Sequence, residues 1–180
     1  MSVCGVMPPA DLLEVSLRLA AEMLLMGNVA STHEEAIGRC QSTIADGTAL
    51  ERFRRVVVAQ GGDGRVCDDP AGVLPRATRV ESFRADRDGF LTSVRAWSVG
   101  QASMLLGAGR SNVVSRIDPA AGIVLHKKVG DVVAVGDVIA DFHLNETHDG
   151  SLRAAIEQFT KAIEILDAPG AQQPLILQRL

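Results

Sequence analysis

The chain has 180 residues, of which 47% are apolar and 22% are charged, and its formal net charge is -4. This length and composition predict one ordinary domain, or one small domain with an additional helical segment, and enough apolar residues for a core. Charges of both signs are dispersed along the chain and no block of lysine or arginine occurs, which argues against nucleic acid as a partner.

Cysteine usage and the absence of targeting signals indicate a cytoplasmic protein. Cys4, Cys40 and Cys67 are widely and irregularly spaced, so they suggest neither a zinc site nor a disulfide framework, and reduced thiols are the simpler interpretation. The first residues contain no basic segment ahead of an apolar stretch, and no secretion signal is predicted. The most apolar helical segment, 12–26, is too short and too charged to span a bilayer, so we expect no membrane contact.

The first third of the chain is predicted to be helical. A helix begins near Asp11 and ends at Gly27, and all but a thin polar stripe of it is apolar, so it should lie mostly buried against something larger. Two further helices are predicted at 31–46 and 48–60. The composition then changes to glycine, aspartate and proline. We therefore predict a helical segment at 1–62 and a linker at 63–78.

Residues 79–180 are predicted to form a second domain of mixed strands and helices. Alternating patterns at 79–85 and 90–96 flank a turn at 86–89 and predict a β-hairpin. The remaining predicted elements are a helix at 99–106, strands at 122–126, 138–142 and 175–177, turns at 129–131 and 135–137, and an amphipathic helix at 151–166. Helices followed by this mixture predict an α+β fold.

Few short motifs suggest chemistry. His143, Glu146 and His148 do not have the spacing that places two imidazoles on one helical face, and loop residues before a helix are the preferred interpretation. The pair Asp68-Asp69 is more typical of a solvated turn than of a catalytic dyad. No recognised nucleophile motif, P-loop or dinucleotide fingerprint occurs in the sequence.

The stretch Gly107-Ala108-Gly109-Arg110 is the most informative of the short motifs. Glycines allow backbone amides to approach an anion closely, and an arginine pairs with such an anion through two hydrogen bonds. The stretch follows a predicted helix, however, and the negative end of the helix dipole repels phosphate. A helix C-cap followed by a loop is therefore favoured over an independent phosphate site.

Residues 122–140 contain two Gly-Asp turns and resemble the paired turns of biotinyl and lipoyl carrier domains. A carrier needs a modified lysine on an exposed hairpin upstream of these turns, and no lysine precedes Lys127. We therefore exclude a carrier function, although the local architecture can be similar.

An ordered series of stretches resembles the pyrimidine-nucleoside and thymidine phosphorylases. The helix at 11–25 is similar to a long helix of that family. The segment that follows it in the family is matched by GTALERF at 47–53, VAQGGD at 58–63, DDP at 68–70 and LP at 74–75. The family's C-terminal domain is matched by DGF at 88–90, VG at 99–100, LLGAGR at 105–110, ID at 117–118, GI at 122–123 and LHKKVGD at 125–131. The order and spacing of the series make the resemblance specific.

The resemblance implies a helical remnant of an α/β lobe followed by an α/β-hammerhead-like C-terminal domain. It also implies a cytoplasmic, homodimeric pentosyltransferase that converts a pyrimidine nucleoside and phosphate to the free base and (deoxy)ribose 1-phosphate. Phosphate is the co-substrate of such enzymes, and no cofactor is expected in this chain. The family's loop after Gly-Ala-Gly-Arg lies toward the cleft, which implies that Gly107, Gly109 and Arg110 help to order cleft closure.

The family's phosphate-binding, base-binding and potassium-binding residues have no counterpart in this sequence, so we assign no catalytic, substrate-binding or metal-binding residue. We expect the C-terminal part of a phosphorylase that is inactive alone and that pairs with a missing N-terminal catalytic half. The alternative is a free-standing hammerhead or barrel-sandwich binding module without catalysis. The helix at 12–26 distinguishes the two, because an exposed apolar helix leads to association, whereas a self-sufficient module would be monomeric and would melt cooperatively.

Overall fold

The computed structural model describes residues 9–110, 113–114, 116–145, 149–170 and 174–176. The contacts divide the chain into two compact units, one of residues 1–74 with 174–180 and the other of residues 75–173. The first unit is helical and the second combines helices with antiparallel sheets, so the α+β prediction is confirmed. The units are defined by contacts and not by function, and the predicted domain assignment stays a prediction.

The helical unit begins with three helices. They are α1 (Ala10–Met26), α2 (His33–Ala45) and α3 (Thr48–Ala59). Small residues let α1 and α2 approach closely, because Ala21, Ala30 and Ala36 are buried together between them. The opposite side of α1 is exposed: Leu12 and Met23 are 60% and 71% accessible. Within the described part of the chain, no helix has the length and apolar character that a membrane span requires.

Residues predicted as a linker contain two short helices, a 3₁₀ turn at Gly64–Cys67 and α4 at Pro70–Val73. Arg54 on α3 holds this segment, since its guanidinium donates two 2.8 Å hydrogen bonds to the Asp68 carboxylate and one to the Gly64 carbonyl. The Asp69 carboxylate accepts the Gly72 N–H at 2.8 Å and caps α4. Both aspartates therefore serve the fold, and they do not form a catalytic dyad.

The second unit contains two three-stranded antiparallel sheets with the orders β1-β5-β3 and β4-β2-β6. The strands are β1 (Arg79–Arg84), β2 (Gly89–Val94), β3 (Gly122–Leu125), β4 (Val132–Val133), β5 (Val138–Leu144) and β6 (Ile163–Leu166). The core between these elements includes Phe83, Phe142 and Phe159, whose rings meet edge to face at 4.9–6.1 Å. Such packing adds to the stabilisation from burial.

The predicted hairpin of β1 and β2 is wrong, because the two strands belong to different sheets. The turn at 135–137 contacts the residues that follow β1, where pairing between β1 and β2 was expected. Ala85 donates its N–H to the Asp137 carbonyl and accepts the Gly136 N–H, both at 2.9 Å, while the Asp88 carboxylate accepts the Val135 N–H at 2.8 Å. These backbone groups are thus satisfied by a segment that lies 50 residues away in the chain, which sequence spacing does not reveal.

The predicted helix at 151–166 is also wrong in its last third. Helix α6 covers Asp149–Thr160, the chain turns where Ala162 N–H meets the Phe159 carbonyl at 2.8 Å, and β6 then pairs with β2. Helix α5 covers Ala96–Ser103, earlier than the predicted 99–106, and continues into a π turn. No strand is present in residues 174–176, and Leu177 of the predicted closing strand lies outside the described residues.

Candidate functional site

The glycines of the candidate stretch lie where α5 ends. The π turn Met104–Ala108 buries Leu106 and Gly107, and Gly107 has φ 106°, a conformation that favours glycine. A Cβ on Gly109 would lie 3.0 Å from Met104 Cγ and 3.2 Å from Met104 Cβ. The two glycines thus end the helix and let the chain pass close to it, as the C-cap interpretation of the sequence expects.

The segment that follows Gly107 is tied back to the fold at Asp118. The Asp118 N–H donates to the Gly107 carbonyl at 2.9 Å. The Asp118 carboxylate accepts the Ala120 N–H at 2.9 Å through one oxygen and the Asn145 side-chain amide through the other, in a short hydrogen bond. The side-chain amide oxygen of Asn145, Oδ1, in turn accepts the Thr78 N–H at 2.9 Å. These hydrogen bonds, of which the two to the Asp118 carboxylate are partly buried, join the end of β5 to the end of α5.

Arg110 leaves this anchored turn and is exposed. Further along, Val113 and Val114 are 93% and 88% accessible and Ile117 is half-exposed; residues 111, 112 and 115 lie outside the described residues. The structure therefore places Gly107 and Gly109 together in the turn, with Arg110 beside them at the surface. The role of these three residues in cleft closure stays a prediction.

A second polar cluster lies on the solvent-facing side of the β1-β5-β3 sheet. The Ser82 hydroxyl donates to Asp141 Oδ1 at 2.7 Å, and His126 Nε2 lies 2.8 Å from Asp141 Oδ2. These two hydrogen bonds, that of Ser82 first, lower the pKa of Asp141, and the electrostatic influence of the nearby His126 and His143 acts in the same direction.

The cluster does not have the geometry of a nucleophile with its base. Ser82 and His126 both contact the one carboxylate, each at a different oxygen, and the Ser82 proton points to Asp141. A serine nucleophile requires a base at its own hydroxyl. We therefore assign the cluster a structural role in joining β1, β5 and the end of β3.

Neither polar cluster was found from the sequence, because each depends on contacts between segments that are far apart in the chain. Ser82 is the register partner of Asp141 across β1 and β5, and the Asp118–Asn145 contact spans 27 positions. The motifs ID at 117–118 and LHKKVGD at 125–131 contain Asp118 and His126, but they carry no information about the partners of these residues.

The histidine cluster considered for a metal cannot be assembled from the described residues. His143 lies on β5, whereas Glu146 and His148 lie outside the described residues. In the ranges that the structure describes, no group of three or more histidine, cysteine, aspartate or glutamate side chains could hold a metal ion.

Comparison with known proteins identifies the class of the sheet-containing unit. Residues 90–166 match the family of the pyrimidine nucleoside phosphorylase C-terminal domain. The match runs from β2 to the end of β6, so it includes the turn at 104–108 and both Asp118 and Asp141, whereas Thr78 and Ser82 precede it.

Relatives that align with most of this chain extend the match into the helical unit. The pyrimidine-nucleoside phosphorylase of Staphylococcus haemolyticus is 40% identical over 157 residues, which are 87% of this chain and 35% of the relative. Those of Geobacillus stearothermophilus and Staphylococcus aureus are 41% identical over 137 residues, which are 76% of this chain and 31% of each relative. The chain thus spans about a third of the length of these relatives, at their C-terminal part. Residues 90–166 thus match the family's C-terminal domain, and most of the chain is similar to the C-terminal part of pyrimidine-nucleoside phosphorylases, so the predicted resemblance is confirmed.

Proposed function

We propose that this chain is the C-terminal part of a pyrimidine-nucleoside phosphorylase and acts together with an N-terminal catalytic part. The complete enzyme converts a pyrimidine nucleoside and phosphate to the free base and (deoxy)ribose 1-phosphate, as a pentosyltransferase. The observation that carries the proposal is the identity of 40–41% over most of this chain with enzymes of that name.

In this proposal the chain supplies a scaffold and not the reacting groups. Phosphorolysis requires cationic and hydroxyl groups that position phosphate against C1′ and stabilise the departing base. We assign none of these groups to this chain, and phosphate is the co-substrate bound by the catalytic part. The sheet-containing unit is proposed to have the α/β-hammerhead type of fold, with Gly107, Gly109 and Arg110 toward the cleft.

The exposed side of α1 supports a covering partner. Leu12, Leu19, Met23 and Met26 share one face of this helix and are 60–83% accessible. An apolar face of this kind is typical of an interaction surface. We propose that the catalytic part of the enzyme, assembled as a homodimer, covers this face.

Reconstitution from two polypeptides tests the proposal. The chain is co-expressed with the portion of the Geobacillus stearothermophilus relative that precedes the matched region, and phosphate-dependent cleavage of thymidine and uridine is measured. We expect no turnover with either polypeptide alone and turnover when both are present. Turnover by this chain alone would contradict the proposal.

A pair of surface variants makes the reconstitution specific to α1. Leu19→Gln and Met23→Gln change residues that are exposed in this chain, so its own thermal unfolding should hardly move, while assembly with the catalytic part should weaken. Trp97→Gln is the control, because Trp97 is also an exposed large apolar residue, at 79%, but lies on α5. If the chain stays folded and monomeric yet neither binds the catalytic part nor restores turnover, the free-standing module is the better account.

A further inference from the structure

We propose that Asn145 is a positioning residue of the candidate site, which acts through Asp118 to fix the backbone of Gly107. Nothing in the sequence motif around 107–110 points to Asn145, which lies 35 positions beyond Arg110 at the end of β5. The link is a chain of three hydrogen bonds: Thr78 to Asn145, Asn145 to Asp118, and Asp118 to Gly107.

The orientation of the Asn145 amide is determined by its two partners. Its carbonyl oxygen accepts the Thr78 N–H, which leaves the NH₂ group directed at the Asp118 carboxylate. The flipped amide would place two donors face to face at Thr78 and two acceptors face to face at Asp118. Such unsatisfied polar groups are costly when partly buried, so the side chain has one stable arrangement.

Asp118 transmits this arrangement to the glycine turn. One carboxylate oxygen accepts the Ala120 N–H and the other accepts the Asn145 amide, so the side chain is held at both ends. The backbone N–H of the same residue then donates to the Gly107 carbonyl at 2.9 Å. Since Gly107 has the unusual φ of 106°, a defined acceptor geometry at its carbonyl helps to hold that conformation, and with it the direction in which the chain continues to Arg110.

Hydrogen exchange at the Asp118 amide measures the link directly in the full 180-residue chain. Asn145→Asp places two carboxylates against each other and removes a charge-assisted hydrogen bond, so exchange at the Asp118 amide should become about 10- to 100-fold faster. Asn145→Ala, which removes the donor without adding charge, should act in the same direction. Asn28→Asp is the control, because it adds the same charge at an exposed position of the helical unit and should leave this amide unchanged.

Exchanging the side chains at positions 118 and 145 tests whether the lost hydrogen bond can be restored. In the double variant Asn145→Asp/Asp118→Asn the two side chains trade roles, because the new amide donates to the new carboxylate. Thr78 N–H and Ala120 N–H each still face an acceptor oxygen. Exchange at position 118 should therefore return to within about twofold of the original rate. Such a rescue would show that the effect of Asn145→Asp passes through the contact with the side chain at position 118.

The activity readout rests on the proposed function and is scored separately. In the two-polypeptide enzyme, Asn145→Asp should lower kcat/KM for phosphorolysis and the double variant should restore it. Unchanged exchange at Asp118 in both Asn145 variants would overturn the positioning role, and so would a folded double variant that exchanges as fast as Asn145→Asp. If the two polypeptides fail to assemble, the proposed function fails and the exchange result still decides the role of Asn145.

Discussion

Three glycines within ten residues should respond differently to alanine. Gly100 lies inside α5 with nothing within 4 Å of an added Cβ, Gly107 has φ 106° and ψ -1°, and Gly109 packs against Met104. The same methyl group is therefore added to an open helical site at 100, to a backbone conformation that favours glycine at 107, and to a tight side-chain contact at 109. Comparing the three alanine variants separates the effect of backbone conformation at position 107 from the effect of side-chain packing at position 109.

The magnitudes follow from these three environments. Alanine at position 100 should stabilise the chain by about 0.5–1 kcal/mol, because glycine in a helix interior loses more backbone entropy on folding. Alanine at 107 should destabilise it by about 1–2 kcal/mol, since a strain of about 1–3 kcal/mol is partly offset by the smaller entropy of the unfolded chain. At 109 the flexible Met104 side chain can shift, and we expect a loss of about 1 kcal/mol.

Urea unfolding followed by circular dichroism measures these differences. The expected order of stability, from highest to lowest, is Gly100→Ala, the original chain, Gly109→Ala and Gly107→Ala. Met104→Ala combined with Gly109→Ala should show a favourable coupling, because it removes Met104 Cγ, the closer of the two crowded atoms. If Gly107→Ala were as stable as the original chain, the strain argument for Gly107 would be refuted; additive effects of the 104 and 109 variants would refute the packing argument for Gly109.

Three further predictions concern the sheet-containing unit. Phe159→Ala should destabilise it by about 3–5 kcal/mol in urea unfolding, because the ring is fully buried against Phe83 at 4.9 Å; a loss under about 1 kcal/mol would contradict this packing. Gly89→Ala should cost more than about 2 kcal/mol, since φ is 150° and the new Cβ would lie 2.6 Å from a carbonyl oxygen; near-normal stability would show that this contact relaxes. The lowered pKa of Asp141 means that its hydrogen bonds to Ser82 and His126 contribute fully above its ordinary value of 3.8 and are lost as the pH falls through the folded-state pKa. The stability difference between the original chain and Asp141→Asn should therefore shrink below about pH 4, and a difference that is constant with pH would refute the assignment.

Local signals in the sequence were sufficient for the helices of the first unit. Helices α1, α2 and α3 begin and end within a few residues of the predicted bounds, because propensity, caps and glycine stops act over one or two turns. Strands β3 and β5 were also predicted, since each is flanked by a turn with a glycine at positive φ, Gly130 or Gly136.

Pairing over long sequence distances could not be predicted. Ile163 and Ile165 occur in a stretch that fits both a helical and an alternating period, and it is β2, about 70 positions earlier, that selects the strand. The hairpin prediction failed for the same reason, since the partner of β1 is β5. At the candidate site, Gly107 and Gly109 could be identified from their sequence motif alone, whereas the Asp118–Asn145 contact could be identified only from the folded structure.

The two units of the chain differ in how well they bury their own apolar residues. The sheet-containing unit has a core in which Leu91, Leu106 and Phe142 are fully buried, although Trp97, Val113 and Val114 are exposed. Helix α1 instead keeps Leu19 and Met23 exposed, although burial of such a side chain is worth about 1.5–3 kcal/mol. Polar residues would serve an exposed helical face equally well, with little cost in helix propensity. Several large apolar residues on one face therefore support the proposal that a catalytic part covers α1.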